Sequence, residues 1–145
     1  MTRRKRNKKD DPNPVEAKSK WQVVVALAVA KKEGREELTD GQYLHVTDLI
    51  KQLVGFGSRR FASELRIEQF GDFWELKDKG GVLGKKNIRI YFAHESDLNE
   101  IVILHFAKKE SEGKPHPHLK FKLKNRLREY RKGTLNQGVT RYRYE

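Results

Sequence analysis

Residues 73–107 read FWELKDKGGVLGKKNIRIYFAHESDLNEIVILHFA, and this stretch decides the fold. Three short runs within it, residues 73–77, 87–93 and 100–107, are rich in β-branched and aromatic side chains. Glycine, serine and aspartate separate the runs, as in turns between strands. The stretch therefore predicts three antiparallel strands in a meander. Alternation along the second run places Arg89 and Tyr91 on one face and Ile90 on the other.

Residues 118–132 predict an amphipathic helix that closes the fold. Leu119, Leu123 and Leu127 recur at four-residue spacing, and Gly133 follows as a stop signal. A strand also fits the start of this segment, where apolar and charged residues alternate, but the spacing continues to Leu127 and favours the helix. We expect the leucines to pack on the sheet. The polar face would carry Lys120, Lys122, Lys124, Arg126, Arg128 and Arg131.

The N-terminal half contains two further candidate elements. Residues 21–30 are almost continuously apolar, which suits either a strand buried on both faces or a helix, and three consecutive valines favour the strand. Residues 48–54 have apolar side chains at helical spacing, with Thr47 as the candidate N-cap. Gly55 and Gly57 would end this helix.

Length and charge favour one domain with two basic segments. The chain has 145 residues, 32 Lys and Arg against 20 Asp and Glu, and a net charge of +12. We predict a basic disordered arm over residues 1–20, one domain over residues 21–133 and a C-terminal tail over residues 134–145. The arm has an excess of five positive charges and residues 108–132 an excess of seven, so together they account for the whole net charge. Such an excess favours a polyanionic partner, above all nucleic acid.

Several classes of protein lose support from what the sequence lacks. No cysteine is present, which excludes disulfides and thiolate metal sites. The longest apolar run, residues 23–30, is far shorter than the ~20 residues that span a bilayer, so we expect a cytoplasmic protein with no membrane contact. The phosphate-loop, dinucleotide-binding and serine-hydrolase motifs are absent. His116 and His118 flank a proline and suit a surface loop better than a metal site, so we expect neither metal nor cofactor.

A positive cluster on the predicted sheet is the strongest functional signal. It comprises Lys77, Lys79, Lys85, Lys86, Arg89, Lys108 and Lys109, with Tyr91 and His105 interleaved. RNA can be cleaved without metal when its 2′-hydroxyl attacks the adjacent phosphate, which requires a base, an acid and cations to offset the phosphate charge. Aromatic side chains could stack on unpaired bases. In the simpler interpretation, which composition alone favours, Arg89 pairs with Glu75 on an exposed face and the lysines are solvated surface.

Four segments in series resemble the RelE/HigB-like toxins of bacterial and phage toxin–antitoxin modules, which belong to the RelE/ParE superfamily. The segments are FWELK at 73–77, NIRIYF at 87–92, IVILHFAKK at 101–109 and LKNRLREY at 123–130. The family's usual text is a W-E-L-R strand, a Y-R-[IV]-x-Y strand, an [IV]-x-L-L-H-x-F-x-K-K strand and a closing helix with L-x-E-Y. The order and spacing of the four segments agree with this text.

The resemblance implies an α+β fold, a small curved antiparallel β-sheet with N-terminal helices packed on one face and a C-terminal amphipathic helix. It implies a toxin that cleaves mRNA on the ribosome without a metal or other cofactor and so inhibits translation. It also implies a partner, a cognate antitoxin that is a helix-turn-helix DNA-binding protein. The basic arm and the C-terminal tail are additions to the family's core.

The family's functional positions can be placed on this sequence one residue at a time. The resemblance places the catalytic residues at Arg89, Lys108, Lys109, His105 and Tyr91. Members differ in the side chain that transfers protons, so the histidine and the tyrosine are alternatives for that role. The candidate RNA contacts are Lys77, Lys79, Lys85, Lys86, Arg126 and Arg128. Lys77 stands where the family has arginine, which keeps the charge but loses the bidentate fork, and Asn87 stands where it usually has tyrosine.

Two other functions remain open from the sequence. A protein of the same fold could bind RNA or the ribosome through charge alone, with a steep salt dependence and no cleavage. Gyrase-inhibiting toxins of the ParE-like branch share the scaffold and lack ribonuclease activity. New 5′ ends in mRNA, salt-dependent binding without such ends, and DNA breaks with intact mRNA distinguish the three.

Overall fold

The computed structural model of the chain describes residues 23–54, 66–109 and 118–143. The strands are β1 (Val23–Ala26), β2 (Arg66–Phe70), β3 (Phe73–Lys79), β4 (Asn87–Glu95), β5 (Glu100–Lys108) and β6 (Thr140–Arg143). The helices are α1 (Ala28–Glu37), α2 (Asp40–Leu53) and α3 (Leu119–Lys132), and one-turn 3-10 helices precede β4 and β5. None of the helices in these ranges is both long enough and apolar enough to cross a membrane.

The strands form one mixed sheet in the order β2-β3-β4-β5-β1-β6. Strands β2 to β5 pair antiparallel in succession, which confirms the predicted meander of β3, β4 and β5. β1 pairs parallel with β5, with Val23 opposite Glu100, and β6 pairs antiparallel with β1. The expectation of an antiparallel sheet is therefore wrong for one pairing. Parallel pairing is possible because a long connection, which includes two helices, separates β1 from β5 in sequence.

The apolar run that begins the described chain divides into a strand and a helix. β1 contains the three valines, and Val24 and Val25 are fully buried between β5 and β6. α1 starts at Ala28, so the prediction of a strand holds only for the first part of the run. β-branched side chains favour the strand and alanine favours the helix, which explains the division. Trp21 lies outside the described residues.

α2 begins earlier than the sequence interpretation placed it. Thr39 is the N-cap: its side chain accepts a hydrogen bond from the Gln42 N–H at 3.2 Å, and the Gln42 side chain accepts one from the Thr39 N–H at 3.1 Å. This reciprocal capping box fixes the start of the helix. Thr47 consequently lies inside α2 and is not a cap. Gly55 and Gly57 lie outside the described residues.

Helices cover both faces of the sheet. On one face, Tyr43 of α2 stacks against Phe106 of β5, with ring centroids 6.4 Å apart. On the other face, the Lys120 ammonium of α3 lies 5.3 Å from the ring of Phe70, which contacts Tyr91. The buried residues of α3 are Leu119, Leu123 and Leu127, as predicted. α1 and α2 thus cover one face of the sheet, and α3 covers the other. This arrangement confirms an α+β fold.

The last strand, β6, is formed by four residues of the predicted tail. Tyr142 pairs with Val24, so β6 borders the buried valines of β1 at the edge of the sheet. The Lys31 ammonium of α1 donates a hydrogen bond to Thr140 Oγ1 at 2.6 Å. The tail is therefore attached to the domain both by the strand ladder and by α1.

Gly34 allows α1 to approach β5 closely, and we expect Gly34→Ala to destabilise the fold. An added Cβ would lie 2.7 Å from two ring carbons of Phe106 and 3.1 Å from Tyr43. We expect a loss of about 1–3 kcal/mol in the free energy of unfolding, since overpacking outweighs the better helix propensity of alanine. The matched control is Gly41→Ala in α2, where a Cβ meets nothing within 4 Å. Urea denaturation should show the control to be equal to or more stable than the wild type; an unchanged midpoint for Gly34→Ala would contradict the close contact.

Candidate functional site

A small pocket lies where β4 begins and β5 ends. Its volume is about 190 Å³, and it is lined by Lys85, Lys86, Asn87, Lys108 and Lys109, which we call the lysine pocket. The two strand ends are joined by the Lys109 N–H, which donates to the Asn87 carbonyl at 2.7 Å. Antiparallel pairing therefore brings together lysines that lie more than twenty positions apart in sequence.

Contacts around the lysine pocket fix one of its cations and leave others available. The Lys86 ammonium donates to the Glu37 carbonyl at 2.7 Å and to Gln42 Oε1 at 2.8 Å, so it is held against the junction of α1 and α2. Within residues 23–54, 66–109 and 118–143, Lys85 and Lys109 form no side-chain ion pair. Several ammonium groups at the ends of two neighbouring strands form an electropositive concavity that favours an anion.

Arg89 lies behind the lysine pocket and is linked to it through Asn87. Its Nη1 donates to Asn87 Oδ1 and, at 3.3 Å, to the Ile88 carbonyl. Its Nε lies 3.6 Å from Glu75 Oε2 and has no hydrogen-bond partner in the described part of the chain. Arg89 and Glu75 are only 5% and 7% exposed. The pairing that the simpler interpretation predicted is therefore present, but on a covered face.

Tyr91 lies in the interior rather than at the lysine pocket. Its exposed fraction is 3%, and its ring contacts Phe70 at 5.4 Å and His105 at 6.0 Å between centroids. Burial raises the pKa of Tyr91, and its hydrogen bond to Glu75 raises the pKa further. A phenol with these surroundings stays protonated and does not reach a phosphate bound among the lysines.

His105 belongs to a second polar cluster, at the edge of β5 beyond the end of β1. Its Nδ1–H donates to Glu33 Oε1 at 2.8 Å. Arg126 donates two hydrogen bonds, of 2.9 and 2.8 Å, to the same carboxylate. Glu33 also accepts the Phe106 N–H at 3.3 Å, and Arg126 donates to the Leu104 carbonyl at 2.8 Å. We call Glu33, His105 and Arg126 the β5-edge cluster. Its side chains hydrogen-bond backbone groups of β5 that have no partner on a neighbouring strand.

The electrostatics of the β5-edge cluster favour an ionised carboxylate. Burial alone would raise the pKa of Glu33, but hydrogen bonds from His105 and Arg126 outweigh it and lower this pKa to about 2. The predicted RNA contact Arg126 is therefore turned inward, with a side chain that is 17% exposed. Its position is explained by its spacing of three residues from Leu123, which places it beside the buried stripe of α3.

Lys77 and Arg128, two other predicted site residues, lie apart from the lysine pocket. The Lys77 ammonium is 2.5 Å from Glu68 Oε1 on the neighbouring strand. Arg128 is exposed, lies 3.8 Å from Glu129 and donates to Asn125. Lys79 ends β3, and its side chain lies outside the described part of the structure. Of the predicted residues, the structure thus brings Lys85, Lys86, Lys108 and Lys109 together, with Arg89 behind them.

Sequence reasoning did not identify Glu33 or the role of Asn87. Glu33 is one of six charged residues in α1, and nothing in its local pattern shows that it meets β5. From the sequence, Asn87 stands out only as a departure from the family pattern.

Among the described residues, no group of three or more His, Asp or Glu side chains is arranged to hold a metal ion. Comparisons with protein-family models, curated proteins and solved structures found no significant match to this chain.

Proposed function

We propose that the protein binds RNA phosphate in the lysine pocket and acts in the cytoplasm as a RelE/HigB-like toxin that cleaves mRNA on the ribosome. The observation that supports this most is the convergence of Lys85, Lys86, Lys108 and Lys109 on one pocket of about 190 Å³. Phosphate contacts position a nucleic acid without selecting its sequence. The position of cleavage along the mRNA would then be set by the ribosome and not by contacts to the bases.

The proposed reaction uses the RNA's own nucleophile. The 2′-hydroxyl oxygen attacks the adjacent phosphorus and releases its proton to water, and the bond from phosphorus to the 5′-oxygen breaks. The products are a 2′,3′-cyclic phosphate and a 5′-hydroxyl end. The ammonium groups of Lys108 and Lys109 offset the charge on the non-bridging oxygens, and that of Lys85 protonates the leaving oxygen. Arg89 orients Asn87 from behind the pocket and is a positioning residue.

The proposed protein partner is the cognate antitoxin, a helix-turn-helix protein that the family resemblance implies. An acidic segment of that protein would cover the lysine pocket, because the charges are complementary and Lys85 and Lys108 are exposed at the ends of the two strands. Such a complex would block the phosphate site without any change in the fold. The strength of the complex should fall with rising salt.

A double substitution, Lys85→Gln/Lys109→Gln, should strongly reduce mRNA cleavage. Each charged contact to phosphate contributes on the order of tenfold, so we expect a loss of about a hundredfold. The measurement is primer extension on translating ribosomes with the purified full chain, which detects new 5′ ends. The control is Lys32→Gln/Lys124→Gln, which removes two exposed lysines from α1 and α3 outside the pocket. Equal loss in both double variants would show that net charge, and not the pocket, matters.

A second candidate, binding to RNA or the ribosome without cleavage, is favoured by the burial of Tyr91 and His105. Neither Tyr91 nor His105, the two residues that the family resemblance offers for proton transfer, lines the lysine pocket, and His105 is hydrogen-bonded to Glu33. In this case the wild type would associate with ribosomes with a steep salt dependence and produce no new 5′ ends. DNA breaks with intact mRNA would instead assign the protein to the gyrase-inhibiting branch.

A further inference from the structure

A second and larger cavity lies between α1, α2 and β6. Its volume is about 520 Å³, and it shares no lining residue with the lysine pocket. Its size falls in the range of small-molecule sites, which extends from roughly 300 to 1,000 Å³. The side chains that line it include two cations from α1, Lys31 and Arg35, and two phenols, Tyr43 and Tyr142. We call it the tyrosine cavity.

The two cations of the tyrosine cavity are one helical turn apart and lack a carboxylate partner among the described residues. The Lys31 ammonium is held by Thr140 Oγ1 at 2.6 Å, and the Arg35 guanidinium lies 5.0 Å from the ring centroid of Tyr43. Burial lowers the pKa of Lys31, and the charge of Arg35 lowers the pKa further. Lys31 and Arg35 therefore repel each other, and a bound anion would reduce this repulsion.

The aromatic groups provide a surface beside the cations. Tyr43 rests on Phe106 beneath it, and the Lys51 ammonium lies 5.9 Å from the ring centroid of Tyr142. Both phenols line the cavity, and burial raises the pKa of Tyr142, with a further increase from the nearby Tyr43. The Arg35 guanidinium and Phe106 already lie against the ring of Tyr43, so Tyr142 offers the stacking position for a planar ring and Tyr43 borders it.

We propose that the tyrosine cavity binds a nucleotide, with its phosphate on Lys31 and Arg35 and its base stacked on Tyr142 beside Tyr43. Arg35 can hold two phosphate oxygens in the plane of its guanidinium. Asp40, the acidic group of the lining, can accept hydrogen bonds from ribose hydroxyls. A bare inorganic anion would leave the tyrosines and the aspartate unused. The nucleotide can be free or part of a single-stranded RNA, and the site does not depend on cleavage at the lysine pocket.

The test is binding of AMP to the full chain, followed by calorimetry and by the NMR signals of the tyrosine rings. We expect a Kd below about 1 mM and shifts confined to Tyr43 and Tyr142. Arg35→Gln should weaken AMP binding about tenfold, and Tyr142→Leu at least about fivefold. Lys32→Gln is the matched control, because this exposed lysine is on the same helix but outside the cavity. It should change the Kd less than about twofold.

The other probes distinguish the source of the nucleotide and reject the proposal where it is wrong. A six-nucleotide single-stranded RNA that binds with the same dependence on Arg35 and Tyr142, while AMP does not, would assign the cavity to a nucleotide within RNA. Inorganic phosphate that binds as tightly as AMP would overturn the proposal, since the rings would then contribute nothing. An acidic peptide that binds more tightly than AMP would assign the cavity to a protein partner instead. The absence of any shift at the two tyrosines with all probes would also overturn it.

Discussion

Replacement of Arg89 by alanine should lower the free energy of unfolding by about 3–5 kcal/mol. The reason is the burial of its partner: Glu75 is 7% exposed, and the Arg89 Nε lies 3.6 Å from its carboxylate. Without the guanidinium, a carboxylate remains inside the protein, and the donor beside it in the described part of the chain is the Tyr91 hydroxyl. Urea denaturation followed by far-ultraviolet circular dichroism measures the loss.

A double-mutant cycle separates this pair from its surroundings. Glu75→Gln/Arg89→Gln removes both charges, so it should be less destabilised than the sum of the two single variants by about 2 kcal/mol. Strictly additive effects would contradict an energetic pair. Because Arg89→Ala is expected to destabilise the fold, a loss of activity in this variant would report unfolding. Arg89→Lys keeps the positive charge beside Glu75 and is the better probe of the positioning role that we propose.

Replacement of Glu33 by glutamine should destabilise the protein by about 2–3 kcal/mol. Arg126 and His105 would lose their common carboxylate, and the Phe106 N–H would keep only a neutral acceptor. The matched control is Glu36→Gln, an exposed position on the same helix, which should change stability by less than about 0.5 kcal/mol. Thermal denaturation of the two variants side by side measures the difference. Equal midpoints would mean that the β5-edge cluster contributes nothing to stability.

The β5-edge cluster also predicts a dependence on acid pH. The pKa of Glu33 falls from 4.5 to about 2 on folding, so its contribution is fully present above pH 4.5 and is lost as the pH falls toward 2. We expect a contribution of about 2 kcal/mol, since solvent partly screens the group. Glu33→Gln lacks this carboxylate. The difference in stability between wild type and variant should therefore shrink between pH 5 and pH 2, and a constant difference would contradict the assignment.

The sequence predicted the elements whose own pattern repeats. The meander strands and α3 agree with the structure within two residues at each end, because alternation and four-residue spacing are set by the face that each element buries. Gly133 ends α3 with a φ of 92°, as its position suggested. The parallel pairing of β1 with β5 was not predictable, since a run of valines shows burial but names no partner. The start of α2 is encoded locally, by the capping box of Thr39 and Gln42, which precedes the apolar spacing that the prediction used.

The candidate site was predicted in part for the same reason. The lysines meet because antiparallel pairing places Asn87 beside Lys109, and the strand pattern implies that pairing. The burial of Tyr91 and His105 depends on contacts from Phe70 and Glu33, which belong to elements distant in sequence. A sheet face that alternation marks as polar can thus be covered by a helix whose position the alternation does not encode.

The pairing of β6 has a consequence for aggregation. β1 has the sequence VVVA, and its edge away from β5 would present unpaired backbone groups beside fully buried valines. Such an edge is a template for pairing with other chains. β6, with the sequence TRYR, occupies it and places two arginines at the outer edge of the sheet. β6 therefore protects the edge of β1 from pairing with other chains. Without β6, that edge would be exposed and would favour self-association.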